Sequence, residues 1–158
     1  MGGANPQLSP DPTFRAARLA VVEMSPDVRE VLLELISGEA LVAEIEELPP
    51  ESMERRIKSH PSIDVLLIDL QPPAARYLAF LPEIRERSPG TRVIFISAME
   101  DIHLWAEAIQ LGAYDFLPKP IDPVEFCWVL QGAIQQPSDI RKPAASSLRR
   151  RSKEALGG

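Results

Sequence analysis

Four residues with chemically useful side chains stand at the ends of apolar runs. Glu23 follows "RLAVV", Asp69 follows "VLLI", Ser97 follows "RVIFI", and Lys119 comes just past "YDFL". An ionised carboxylate at the edge of a buried strand is costly unless something pairs it. Lys119 is the candidate partner for Asp69, because an opposite charge nearby favours the ionised form. An acid, a hydroxyl and an ammonium are therefore expected to converge on Asp69. The ordinary alternative is a strand-end acid neutralised by one lysine; the four-part constellation argues against it.

The elements that must position these residues alternate strand with helix. "RLAVVE" (Arg18 to Glu23) is strand-like, and "SPDVREVLLELISG" has Ser25 as N-cap, Pro26 at the first helical position and Gly38 as stop. Val28, Val31, Leu32, Leu35 and Ile36 fall on one helical face. Ala40 to Leu48 reads as a half-polar strand, "PESMERRIKSH" as a short helix and "DVLLID" as a buried strand. "AARYLAFLPEIRERS" is helical, with Pro82 placed to delay or kink it. "RVIFIS" is a strand, and "DIHLWAEAIQLG" is a fourth helix between Asp101 as cap and Gly112 as stop. "YDFL" is a short strand, and a fifth helix opens with Asp122, Pro123 and Glu125. Five such units predict a doubly wound five-stranded parallel α/β sheet with helices on both faces. Ligands of such sheets bind beyond the carboxyl ends of the strands, where Asp69 falls.

With those elements in place, the chain resembles the receiver domains of two-component response regulators. The resemblance rests on "VVE.SP", "LLIDLQPP", "VIFISA" and above all "AIQLGAYDFLPKPID", and covers about Arg18 to Gln136. It implies the flavodoxin-like strand order 2-1-3-4-5. It implies Asp69 as phosphoacceptor, Lys119 as phosphate partner, Ser97 as switch hydroxyl and Phe116 as switch aromatic. It also implies a cis peptide between Lys119 and Pro120, and Mg²⁺ bound by Asp69, the backbone carbonyl of Gln71, and Glu23. The implied function is a phosphorelay step: a carboxylate takes a phosphoryl group from a histidine kinase or phosphotransfer protein and switches an output face. On this reading the chain is no enzyme beyond its own phosphoryl transfer. A degenerate receiver, binding a partner independently of phosphate, is the alternative.

One position departs from the family pattern. Receivers carry two acids where this chain has Glu23 and Met24. Mg²⁺ wants oxygen ligands, and methionine offers a soft thioether. Weak Mg²⁺ binding is the expectation, with Glu23 one methylene longer than aspartate and able to compensate in part.

Composition bounds what remains. The 158 residues suffice for one domain with a real core. No apolar run approaches a membrane span of about 20 residues, and the opening "MGGANPQLSPDP" lacks the basic-then-apolar pattern of a secretory signal. Cys127 is the single cysteine, which fits a reducing cytoplasm. The two histidines, His60 and His103, have no metal-ligand spacing. "EMSPDVRE" has no glycine, so a dinucleotide or P-loop site is not expected. Residues 1–136 carry 21 Asp/Glu against 11 Lys/Arg, while residues 137–158 carry two against six, within a total of -6. An acidic body is not expected to bind nucleic acid. The organisation expected is a flexible segment over 1–16, a receiver over 17–136, and a basic, disordered tail or linker over 137–158. Cys127 reads as core filler and His103 as a surface residue. Trp105 and Trp128 read as core residues or as parts of an output face on the fourth and fifth helices, where an effector domain or a second copy would dock.

Overall fold

A computed structural model describes residues 17–22, 25–37, 42–59, 62–98 and 101–135. Five strands pair in parallel in the order β2-β1-β3-β4-β5. They are β1 (Ala17–Val22), β2 (Val42–Leu48), β3 (Val65–Asp69), β4 (Arg92–Ser97) and β5 (Asp115–Pro118). The doubly wound sheet and its strand order agree with the expectation. Val65 to Ile68 are all fully buried, because helices cover both faces of the sheet.

Alternation along the strands divides the core in two. One side gathers Ala20, Leu66, Ile68, Phe95 and Phe116 with Met53, Tyr77, Leu81 and Trp105. The other gathers Leu19, Leu67, Ile94, Ile96 and Leu117 with Leu32, Phe126, Val129 and Leu130.

The helices are α1 (Pro26–Ser37), α2 (Met53–Ile57, entered through a 3-10 turn at Pro50–Ser52), α3 (Ala75–Leu78), α4 (Leu81–Arg87), α5 (Ile102–Gln110) and α6 (Pro123–Gln135). The third expected helix is thus two helices. Pro82 has no N–H to give to the preceding turn, so the chain restarts at Leu81 with the proline inside the first turn. The expected fourth and fifth helices are α5 and α6. Asp101 caps α5, accepting from the backbone N–H of His103 (2.9 Å) and Leu104 (3.2 Å). Asp122 caps α6 through the N–H of Val124 at 2.9 Å. Gly112 ends α5 with φ +113°, a region that glycine adopts without strain. The stop at Gly38, the start of the second strand at Ala40, and the segments 1–16 and 136–158 lie outside the described residues, as do Glu23, Met24 and His60.

The sheet's edges are unlike its centre. Edge strand β2 carries Glu44, Glu46 and Glu47, paired with Arg18 (2.7 Å), Arg56 (2.6 Å) and Arg29 (2.9 Å) from β1, α2 and α1. The opposite edge, β5, has four residues and ends in Pro118.

Candidate functional site

Asp69 ends β3 beside Ile96 of β4, and the next residue binds back, Leu70 N–H to Ile96 carbonyl at 2.8 Å. Ser97 follows Ile96 and is opposed by Pro118 of β5. Lys119 leaves β5 with its N–H bonded to the Ser97 carbonyl at 2.9 Å. Three consecutive strands therefore deliver Asp69, Ser97 and Lys119 to one rim.

The Asp69 carboxylate is 0% exposed, and the Lys119 ammonium lies 2.9 Å from each of its oxygens. Lys119 itself keeps 19% of its side chain in solvent. Two further described residues bond to the same carboxylate. Ser25, at the start of α1, donates to Oδ2 from its backbone N–H (3.1 Å) and its hydroxyl (3.4 Å). Gln71 donates to Oδ1 from its side-chain amide at 2.9 Å. These donors supply what the burial of a charge demands.

Ser25 reads from the sequence only as a helix cap, and Gln71 only as a backbone carbonyl. The signal that could have found their side chains is topological. β1 and β3 are neighbours, so the loops leaving them meet at the switch point of the sheet.

Phe116 is 1% exposed and packs against Phe95 with ring centroids 6.1 Å apart. It lies in the core beneath the rim, three residues before Lys119. The Lys119–Pro120 peptide is cis, and so is Pro72–Pro73. Glu23 and Met24 lie outside the described residues. Among the described residues no cluster of three or more His, Cys, Asp or Glu could hold a metal ion. Among the described residues the Asp69 carboxylate brings oxygen to the rim, the class of donor a hard cation such as Mg²⁺ takes.

Two groups shifted by burial stand at the other end of the sheet. Burial holds the Tyr114 phenol above its ordinary value, reinforced by Asp115 and opposed by Arg92. Burial also lowers the Arg92 guanidinium, against the pull of Tyr114 and Asp64. Neither touches the Asp69 rim.

Of the two tryptophans, Trp105 agrees with a core reading and Trp128 does not. Trp105 is 5% exposed, a core residue of α5. Trp128 on α6 is 50% exposed and Val124 is 79% exposed. With Cys127, Gln131 and the acids Asp122 and Glu125 they line an open hollow. Cys127 is half-buried there rather than filling the core. On α6 the inward positions are Phe126, Val129, Leu130 and Ala133, and residue 127 falls off that stripe. His103 is exposed, as expected.

A doubly wound parallel sheet with a buried acid–ammonium pair at its strand ends defines a signalling receiver rather than a nucleotide-binding enzyme. The family model of the response regulator receiver domain matches residues 19–131, and the chain belongs to that family. The chain is 31% identical over 137 residues to the DNA-binding transcriptional regulator NtrC of Escherichia coli (strain K12), a match covering 87% of this chain and 29% of NtrC. It thus spans less than a third of that relative's length. Among solved structures, the beryllofluoride-activated NtrC4 receiver domain dimer is similar at 25% identity and TM-score 0.65, covering 75% of this chain and 96% of that one. The CheX–CheY–BeF3–Mg²⁺ complex from Borrelia burgdorferi shares the fold, at 21% identity and TM-score 0.62, covering 76% and 90%.

Proposed function

We propose that Asp69 accepts a phosphoryl group from the phosphohistidine of a kinase or phosphotransfer protein. The observation that carries this reading is the fully buried Asp69 carboxylate with Lys119 at 2.9 Å from both oxygens, in a chain of the receiver family. One Asp69 oxygen attacks phosphorus, the P–N bond breaks, and the electron pair leaves on the imidazole. Positioning and charge supply nearly all the catalysis of such a transfer. Lys119 offsets negative charge on the phosphoryl oxygens. Ser97, at the rim, donates a hydrogen bond to one of them and draws the loop after β4 inward, and the ring of Phe116, packed on Phe95 of β4, follows.

Receiver domains bind Mg²⁺ and are not enzymes in the ordinary sense. Here Asp69, the Gln71 carbonyl and Glu23 would hold the ion, which supplies positive charge to the phosphoryl oxygens. Met24 in place of the second acid makes that binding weak. The receiver unit is residues 17–136, in the cytoplasm. On this reading α5 with α6 carries the output, through the exposed Trp128 and Val124, to an effector domain or to a second copy.

Intact-mass spectrometry after incubation with a small acyl phosphate and Mg²⁺, or with a phosphorylated kinase, tests the reading. A single phosphoryl adduct is expected, absent from Asp69→Asn. An adduct that survives in the Asn variant places the chemistry elsewhere. No adduct with any donor means a domain that works without phosphate.

A further inference from the structure

The two oxygens of Asp69 are held differently. Oδ2 receives the backbone N–H of Ser25 at 3.1 Å and its hydroxyl at 3.4 Å. Oδ1 receives the side-chain amide of Gln71 at 2.9 Å. Lys119 touches both at 2.9 Å. A backbone N–H at the head of α1 cannot leave without moving the helix, and the Ser25 carbonyl is itself committed to the N–H of Arg29 at 2.8 Å. A glutamine amide two residues from the acid leaves by side-chain rotation alone. Gln71 is partly exposed, so solvent can take over its bonds.

We infer that Ser25 is a positioning residue for phosphoryl transfer, which anchors Oδ2 and presents Oδ1 as the attacking oxygen. This rests on the phosphoacceptor reading of Asp69. Its chemical logic is geometric. A carboxylate free to rotate offers either oxygen in many directions, whereas one pinned at Oδ2 keeps the lone pairs of Oδ1 on a fixed line of approach. Gln71 covers that line at rest and swings aside when a donor enters. With an acyl phosphate, Oδ1 forms the new O–P bond, the donor's P–O bond breaks, and the carboxylate product leaves with its electron pair. The absence of an acid at position 24 raises the weight on Ser25, because a rim with fewer metal ligands orients Asp69 more through its protein donors.

The test compares wild type, Ser25→Ala and Ser25→Thr in the full chain, with acetyl phosphate as donor and adduct formation read by intact mass at several donor concentrations. Ser25→Ala keeps the backbone N–H and loses the hydroxyl. Its maximal rate should fall about tenfold, the loss expected for one weak bond to a charged group. The donor concentration at half-maximal rate should stay unchanged, and Ser25→Thr should restore most of the rate. Thermal melting of each variant separates a folding defect from a transfer defect. A Ser25→Ala rate equal to wild type overturns the positioning role of the Ser25 side chain and leaves Asp69 as acceptor. A rate loss that Thr does not restore, or one that follows the melting midpoint, overturns it also. A wild-type chain that forms no adduct fails the phosphoacceptor reading itself, and the positioning role falls with it.

Discussion

Replacing Lys119 by methionine removes, among the described residues, the cation in contact with a carboxylate that has no exposure of its own. Breaking a buried ion pair by deleting one partner costs about 3–5 kcal/mol, since the other charge stays behind. Two features lower that figure here. Asp69 keeps the N–H and hydroxyl of Ser25 and the amide of Gln71, and Lys119 lies at the rim with 19% of its side chain in solvent. The expected cost is about 2–4 kcal/mol, or roughly a 10 °C fall in melting midpoint for a domain of this size. Urea denaturation followed by circular dichroism measures it. The same substitution in an Asp69→Asn background should cost less than about 1 kcal/mol, because no buried charge is then stranded. Equal costs in the two backgrounds would show that Lys119 stabilises the fold by packing its stem, and the electrostatic argument for the rim would fail.

Three further outcomes follow from other parts of the molecule. Gly112→Ala should lose about 1–3 kcal/mol in the same denaturation assay, because φ +113° strains any other residue and a Cβ would run into the Arg85 side chain; an unchanged midpoint would mean the turn relaxes freely. Tyr114 has a buried hydroxyl with no partner among the described residues, and its ionisation is pushed above the usual value by burial. The folded state thus keeps that proton when the unfolded chain has lost it, so stability falls as pH rises past about 10. Tyr114→Phe should flatten this alkaline decline while costing nothing at pH 7, and parallel pH profiles would refute the assignment. Met24→Asp should raise Mg²⁺ affinity about tenfold or more by calorimetry; equal affinities would show that Glu23 already supplies the ligand.

The three central strands, β1, β3 and β4, were legible because each is an apolar run closed by a chemically active residue. "VLLID" and "RVIFIS" have one reading, as buried parallel strands. Asp69 and Lys119 were legible as partners for the same reason, since a buried acid needs a cation. The break between α3 and α4 was half legible. Pro82 announces a disturbance, but only packing decides between a kink and a restart. The cage around Asp69 was the least visible part. Ser25 and Gln71 are polar residues in polar loops, and nothing local distinguishes them from their neighbours. Their direction is set by β1 lying beside β3, a pairing between residues more than 40 positions apart. Cys127 and Trp128 show a smaller version of the same limit. Both are apolar enough for a core, and the phase of α6 alone turns them outward.

A parallel sheet ends in two open ladders, and each is an invitation to any extended chain nearby. Here both are shut, by different means. On β2, three glutamates are tied to arginines from three different elements; an incoming strand would have to break those ion pairs and bring its own backbone against charge. On β5, four residues give little length to grip, and Pro118 takes one donor from the last rung. Pairing of either edge with the strand of another chain is therefore disfavoured in the folded domain. Among the described surfaces this leaves helices for self-association, whose side-chain contacts can be made and released, whereas a joined sheet would be permanent.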